Sequence, residues 1–281
     1  MTKNSRKSIL CPNCSKLISA DEPVCPYCGV SRPGIWWKTL LTGKGLLSGD
    51  RIVKTIIYAN VGMYFISLVM NPTRIGLSTN PFTFLSPSNS ALLLLGSTGT
   101  IPIDQMHRWW TLIAANYLHG NLLHILFNMI ALYQIGPLTL GEYGVGRFIS
   151  IYTLSGVIGF LVSYVVGVSF TLGASAAICG LIGASLYYGK SRGGSYGQAV
   201  YKHLIGWIVG IFIFGFVVAG INNWGHGGGI VGGIILGYVL GYEERKRENL
   251  IHKVLGALCV VLTVAVLAWA VSISFYYRFF G

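Results

Sequence analysis

The sequence predicts an all-α protein that crosses a membrane several times, preceded by a small cysteine-bearing module. Three observations predict it. Of the 281 residues 53% are hydrophobic and only 10% are charged; the apolar residues gather in runs long enough to span a bilayer; and four cysteines stand in two close pairs near the start. An ordinary soluble domain carries about a quarter charged residues, so most of this chain belongs in lipid. The net charge of +12 raises nucleic acid as a partner. That reading loses its motive because the basic residues are spread over several short segments and not gathered on one folded face, so no nucleic acid is expected.

Residues 1–34 are polar and basic and lack the apolar core of a cleavable signal peptide, so none is expected. Cys11-Pro12-Asn13-Cys14 and Cys25-Pro26-Tyr27-Cys28-Gly29 make two tight turns, each able to present two thiolates to one tetrahedral ion. A pair of disulfides is the competing reading, disfavoured if this end lies in the reducing cytosol. A structural zinc ion on Cys11, Cys14, Cys25 and Cys28 is therefore expected. So short a module cannot build much of a core, and the metal would supply most of its folding energy. It resembles the zinc ribbons at the termini of bacterial proteins. With all four ligand positions filled it carries no chemistry, and a protein partner for it stays open. Residues 35–51 read as an amphipathic linker, with Trp36 and Trp37 suited to a membrane interface.

A helix needs about 20 apolar residues to cross about 30 Å of hydrocarbon. The runs Ile52–Met70, Leu122–Leu140, Val145–Phe170, Gly173–Gly189, His203–Gly220, Gly225–Gly241 and Ile251–Tyr276 meet this description. The first six make a core over residues 52–241, and residues 242–281 supply an inner loop and a seventh span. With the N-terminus cytosolic, all of the 20 Lys and Arg residues except Arg74, Arg108 and Arg278 fall in inner segments or at their edges, as the positive-inside tendency requires. The C-terminus is then outside, and the plasma membrane of a bacterium is the expected location. The segment Asn71–Asn121 is long for a loop. It is expected to lie partly in the outer leaflet, a plain extracytoplasmic loop being the alternative.

Polar groups inside spans are costly and usually functional. The second, fourth and sixth spans enter from the outer side, and each bears such groups near its start: His124 and Asn128, then Ser175, then His226. Parity of span number collects them at one depth. Ser175 opens a helix, where free backbone N–H groups favour a developing oxyanion, while His124 and Asn128, four apart, share a helix face. A nucleophile, a base and an oxyanion site are the parts of acyl transfer. Each residue alone has a plainer explanation, such as a serine bonded to its own helix or a histidine capping one. The glycines around His226 permit close approach to the fourth span, but packing without chemistry would also use them.

These residues resemble the rhomboid intramembrane proteases over about Ile52–Gly241. The stretch His119-Gly120-Asn121-Leu122-Leu123-His124-Ile125-Leu126-Phe127-Asn128 looks like the family's second-span motif, Gly173-Ala174-Ser175 like its nucleophile motif, and Gly225-His226-Gly227-Gly228-Gly229 with Gly233 like its base motif. The resemblance implies a rhomboid-like six-helix core and a Ser175–His226 dyad without a third acid or a catalytic cofactor. It further implies that His124, Asn128 and the Ser175 N–H assist the oxyanion, and that His119, Gly173, Ala176 and Cys179 line the site. The implied substrates are single-span membrane proteins in the bilayer, cut near the outer face where their helix unwinds.

Four positions depart from the family pattern: Ala176 where Gly is usual, Cys179 where an aromatic ring packs on the histidine, Thr111 where Arg follows the Trp, and Leu140 where a Glu stabilises the outer loop. Arg108 and Glu142 are the expected substitutes for those charges, and a tyrosine at position 179 is expected to be accommodated. An inactive relative that binds membrane proteins is the alternative function. A transporter would show internal repeats and a metalloprotease a His-Glu-x-x-His helix, neither of which the sequence contains.

Overall fold

The computed structural model describes residues 8–11, 16–35, 49–71, 75–77, 79–218 and 220–280. The chain divides into two compact units, Met1–Thr55 and Ile56–Gly281.

In the first unit, β1 (Ser8–Leu10) and β2 (Leu17–Ser19) pair antiparallel, with Ile9 opposite Ile18. The hairpin delivers Cys11 to a second turn, where the Cys25 N–H donates to the Val30 carbonyl at 2.9 Å and the Gly29 N–H to Cys25 at 3.0 Å. Cys11, Ile18 and Cys25 are buried together with little other apolar material around them. Trp36 and Trp37 of the expected linker lie outside the described residues.

Helix α1 (Gly49–Val69) leads into the second unit. The segment that follows is built and not merely looped: it holds α2 (Asn89–Leu95), a π-turn at Ile101–Gln105, α3 (Thr111–Ala114) and a single 3₁₀ turn at Ala115–Tyr117. Six long helices complete the chain: α4 (Leu122–Tyr143), α5 (Val145–Val165), α6 (Ser175–Arg192), α7 (Gly194–Val217), α8 (Asn223–Leu240) and α9 (Leu250–Phe279).

This is an all-α polytopic membrane protein. Among the described residues five helices are long and apolar enough to cross a membrane, α1, α4, α5, α7 and α9, where the sequence reading expected seven. The two that fall short, α6 and α8, are 18 residues each, α6 rich in Gly, Ala and Ser and α8 in Gly. Their composition is diluted because they face protein more than lipid: α6 is buried along nearly its whole length. Outward-facing Val209, Phe216 and Val217 of α7 and Val261 and Val264 of α9 are exposed instead, as helices against hydrocarbon would be. The boundaries also moved. The third span ends at Val165 and not Phe170, because Thr171 leaves the helix to exchange backbone hydrogen bonds with Thr98 at 2.7 and 2.9 Å. The fifth begins at Gly194 and not His203, so the expected inner loop is only a break at Gly193.

The centre is a glycine seam. A Cβ on Gly159 of α5 would lie 2.6 Å from the Gly225 carbonyl oxygen and 3.0 Å from the Ala176 Cβ. On α8, a Cβ at Gly228 would meet Val162 of α5 at 2.9 Å, while one at Gly233 would run into the Gly180 carbonyl of α6. Thus α8 wedges between α5 and α6 with glycine on both contact faces, bringing backbones together as small residues do between membrane helices.

At the end of the bundle remote from Ser175, Arg147 in the first turn of α5 is fully buried. Its Nε donates to His252 Nδ1 of α9 at 3.2 Å, its Nη2 donates to the Lys246 carbonyl, and its Nη1 lies 3.8 Å from Glu243. The Arg147 N–H donates to Glu248 at 3.0 Å. A residue that the sequence reading counted among the loop charges therefore clasps α5 to α9.

Candidate active site

Ser175 is the first residue of α6, so its own N–H and those of Ala176 and Ala177 have no acceptor within the helix. The approach to it is held from two sides: the Gly173 N–H donates to the Ala115 carbonyl at 2.9 Å, and Thr171 pairs with Thr98. His226 lies in the first turn of α8, its N–H bonded to the Asn222 carbonyl at 3.2 Å. Its Nε2 stands 2.9 Å from Ser175 Oγ. His226 Nδ1 has no hydrogen-bond partner among the described residues, so none of these orients the imidazole from that side.

With Ser175 donating its hydroxyl proton, Nε2 is the acceptor and Nδ1 carries the hydrogen of the neutral ring. His124 is set the other way round. The Gly120 N–H donates to His124 Nδ1 at 3.3 Å, so the neutral ring carries its hydrogen on Nε2. That nitrogen faces Gly173: a Cβ on Gly173 would lie 2.7 Å from His124 Nε2 and 3.6 Å from Ser175 Oγ. Gly173 also holds φ +130, a conformation that side chains disfavour. Glycine there lets an N–H donor and the serine oxygen share one small space.

The remaining expected residues are placed as follows. Asn128 is buried on the same helix, its Nδ2 donating to the His124 carbonyl at 2.8 Å; this leaves one amide hydrogen uncommitted. His119 is fully buried, edge-on to His124 with ring centroids 5.0 Å apart, and neither of its ring nitrogens has a partner among the described residues. Ala176 packs into an apolar cluster with Ile103, Leu112, Ala115 and Phe160. Cys179 meets α8 at Gly229, where a Cβ would lie 3.2 Å from its own, one turn beyond His226.

The proposed substitutes for the missing outer charges need correcting. Arg108 Nη1 donates to the Leu93 carbonyl at 3.2 Å and so ties the turn before α3 to α2. Glu142 does not: it lies in the last turn of α4, at the far end from Asn121, and accepts from Ser185 of α6 at 2.5 Å. At the position expected for arginine, Thr111 Oγ1 donates to Thr98 Oγ1 at 3.0 Å. A neutral contact does the work there.

Sequence reasoning missed Asn222. Its Oδ1 caps α8 by accepting from the Gly225 N–H at 3.0 Å, while its Nδ2 donates to Ser163 Oγ at 2.7 Å and to Thr171 Oγ1 at 3.0 Å.

In the first unit the sulfurs of Cys11, Cys25 and Cys28 all lie within 4.8 Å of one another, with Cys11 and Cys28 3.6 Å apart. Cys14 lies outside the described residues. Thiolates at about 2.3 Å from a tetrahedral ion are separated by a little under 4 Å, so the cluster has the dimensions of a metal site.

Comparison with known proteins joins these observations. A profile described as the rhomboid domain matches residues 106–243. The chain is 34% identical over 146 residues to rhomboid protease GluP of Bacillus subtilis, covering 52% of this chain and 29% of that protein. It is 39% identical over 105 residues to RHOMBOID-like protein 5 of Arabidopsis thaliana, covering 36% and 34%. To Rhomboid-like protease 3 of Toxoplasma gondii it is 28% identical over 149 residues, covering 53% and 51%. The chain thus spans from 29% to 51% of the length of these relatives. The matched region, residues 106–243, contains both helices that present the serine and the histidine, and this part of the chain is similar to the rhomboid domain.

Proposed function

We propose that the protein is an intramembrane serine endopeptidase that cuts single-span membrane proteins near the outer membrane face. The observation that carries the reading is the 2.9 Å contact between His226 Nε2 and Ser175 Oγ, made between two helix starts inside a bundle. In this reading Ser175 Oγ attacks the scissile carbonyl carbon and its proton passes to His226 Nε2. The carbonyl electrons move onto oxygen, which the Ser175 N–H and His124 Nε2–H receive, with Asn128 able to join through its uncommitted amide hydrogen. Collapse of the adduct expels the amine, which takes the proton from His226 and leaves an acyl-serine. Water, deprotonated by the same imidazole, then attacks the ester, and the acid product leaves with the serine hydroxyl restored. His119, Gly173, Ala176 and Cys179 shape the surroundings of these groups. No cofactor takes part in this sequence.

The cysteine cluster is proposed as a structural zinc site on Cys11, Cys25 and Cys28, with Cys14 as fourth ligand. Zinc when bound supplies the cross-link that a hairpin this small lacks. The orientation expected from the charge pattern, N-terminus in the cytosol and C-terminus outside, is part of the same proposal.

A fluorophosphonate reacts only with an activated serine. Purified protein should be labelled, and Ser175→Ala or His226→Ala should abolish both labelling and cleavage of a model membrane substrate without changing the unfolding transition, because the two act as a unit. Wild-type protein that resists the reagent would point to a binding role in place of catalysis.

A further inference from the structure

The activity proposed above depends on two side chains carried by different helices, α6 and α8. We infer that Asn222 is the positioning residue that fixes one against the other. This rests on the protease reading. Its side chain faces three ways at once: Oδ1 accepts from the Gly225 N–H of α8, and Nδ2 donates to Ser163 Oγ of α5 and to Thr171 Oγ1 of the strand that leads into Ser175. Its carbonyl accepts from the His226 N–H. The base helix and the segment leading into Ser175 are thus pinned through one carboxamide, four residues before each of the two side chains.

The pin continues outward. Thr171 exchanges both backbone hydrogen bonds with Thr98, and Thr98 Oγ1 accepts from Thr111 Oγ1. Ser163 in turn donates to the Gly159 carbonyl at 2.9 Å, at the point where α5, α6 and α8 come closest. A continuous line of hydrogen bonds therefore runs from the outer segment, through Thr98, Thr171 and Asn222, to the turn that carries His226. An amide is required for the join. Only a side chain that both accepts and donates can cap Gly225 and reach two hydroxyl oxygens.

Capping and bridging can be separated by substitution. Asn222→Asp keeps an acceptor for Gly225 but has nothing to donate to Ser163, whose own hydrogen is committed to the Gly159 carbonyl, and Thr171→Val removes the other bridging hydroxyl while leaving the backbone pairing to Thr98 untouched. For each variant we would measure the thermal transition, kcat and KM on a model membrane substrate, and the rate of fluorophosphonate labelling. Both should retain a transition close to wild type. Both should lower kcat and the labelling rate about ten- to a hundredfold, the scale of a misplaced reacting group, with KM within about twofold. Asn222→Asp combined with Thr171→Val should be no worse than the poorer single variant, because both open the same bridge through residue 222. Unchanged labelling in either single variant, a rise in KM alone, or losses that multiply in the double variant would overturn the inference while leaving the dyad intact. If wild-type protein is not labelled at all, the protease reading fails first and the positioning role goes with it.

Discussion

Cys179 shows how far a single residue could be read in advance. The sequence places it one turn after Ser175, on the side of α6 that faces the base helix, and both statements hold. What the sequence could not supply is the separation of the helices: Cys179 is 1% exposed and its Cβ stands close against Gly229. The room expected for a larger ring is taken up by the approach of α8 itself. Cys179→Tyr should therefore lower stability by about 1–3 kcal/mol, the usual cost of overpacking, read as a fall in the unfolding midpoint in detergent, whereas Cys179→Ala should stay near wild type. Ser175 and His226 were legible because a hydroxyl and an imidazole at matching depth are rare in lipid-facing sequence. Asn222 was not. An asparagine ahead of a helix is an ordinary cap, and its other partners, Ser163 and Thr171, lie 59 and 51 residues away in the chain.

Between elements, the glycines of α8 do separate jobs that sequence alone does not distinguish. Gly233 faces the Gly180 carbonyl, whereas a Cβ on Gly227 would find only Phe212, at an ordinary 3.9 Å. Gly233→Ala should push α6 and α8 apart, lowering stability by about 1–3 kcal/mol and slowing fluorophosphonate labelling. Gly227→Ala should instead be neutral or stabilising by about 0.5–1 kcal/mol, since an interior helical glycine carries an entropic cost. Equal effects at the two sites would contradict the seam. The five apolar helices were visible as runs of membrane-crossing length, but the ends of α5 and α7 were misplaced, because apolar runs do not mark where a chain leaves its helix to pair with a distant segment. Thr98 and Thr171 pair across such a gap, and nothing local to either announces it.

At the scale of the whole molecule, the chain joins a membrane bundle to a hairpin that has almost no core. Replacing Cys11 and Cys25 by Ser should release about one zinc per chain, measured by metal analysis of purified protein, and unfold the first unit alone. The thermal transition of the bundle and its fluorophosphonate labelling should persist; their loss would show that the two units fold together. The bundle has a dependency of its own at Arg147. Because that guanidinium is sealed among Lys246, Glu243 and His252, the last helix is not an ornament on a six-helix machine. Removing residues 250–281 would take the His252 acceptor away from the buried Arg147 Nε, and a buried donor left unpaired costs about 1–3 kcal/mol. Shortening this protein to a minimal catalytic core would therefore need a second edit, such as Arg147→Met made together with the deletion, and the doubly edited chain should survive purification where the simple truncation does not.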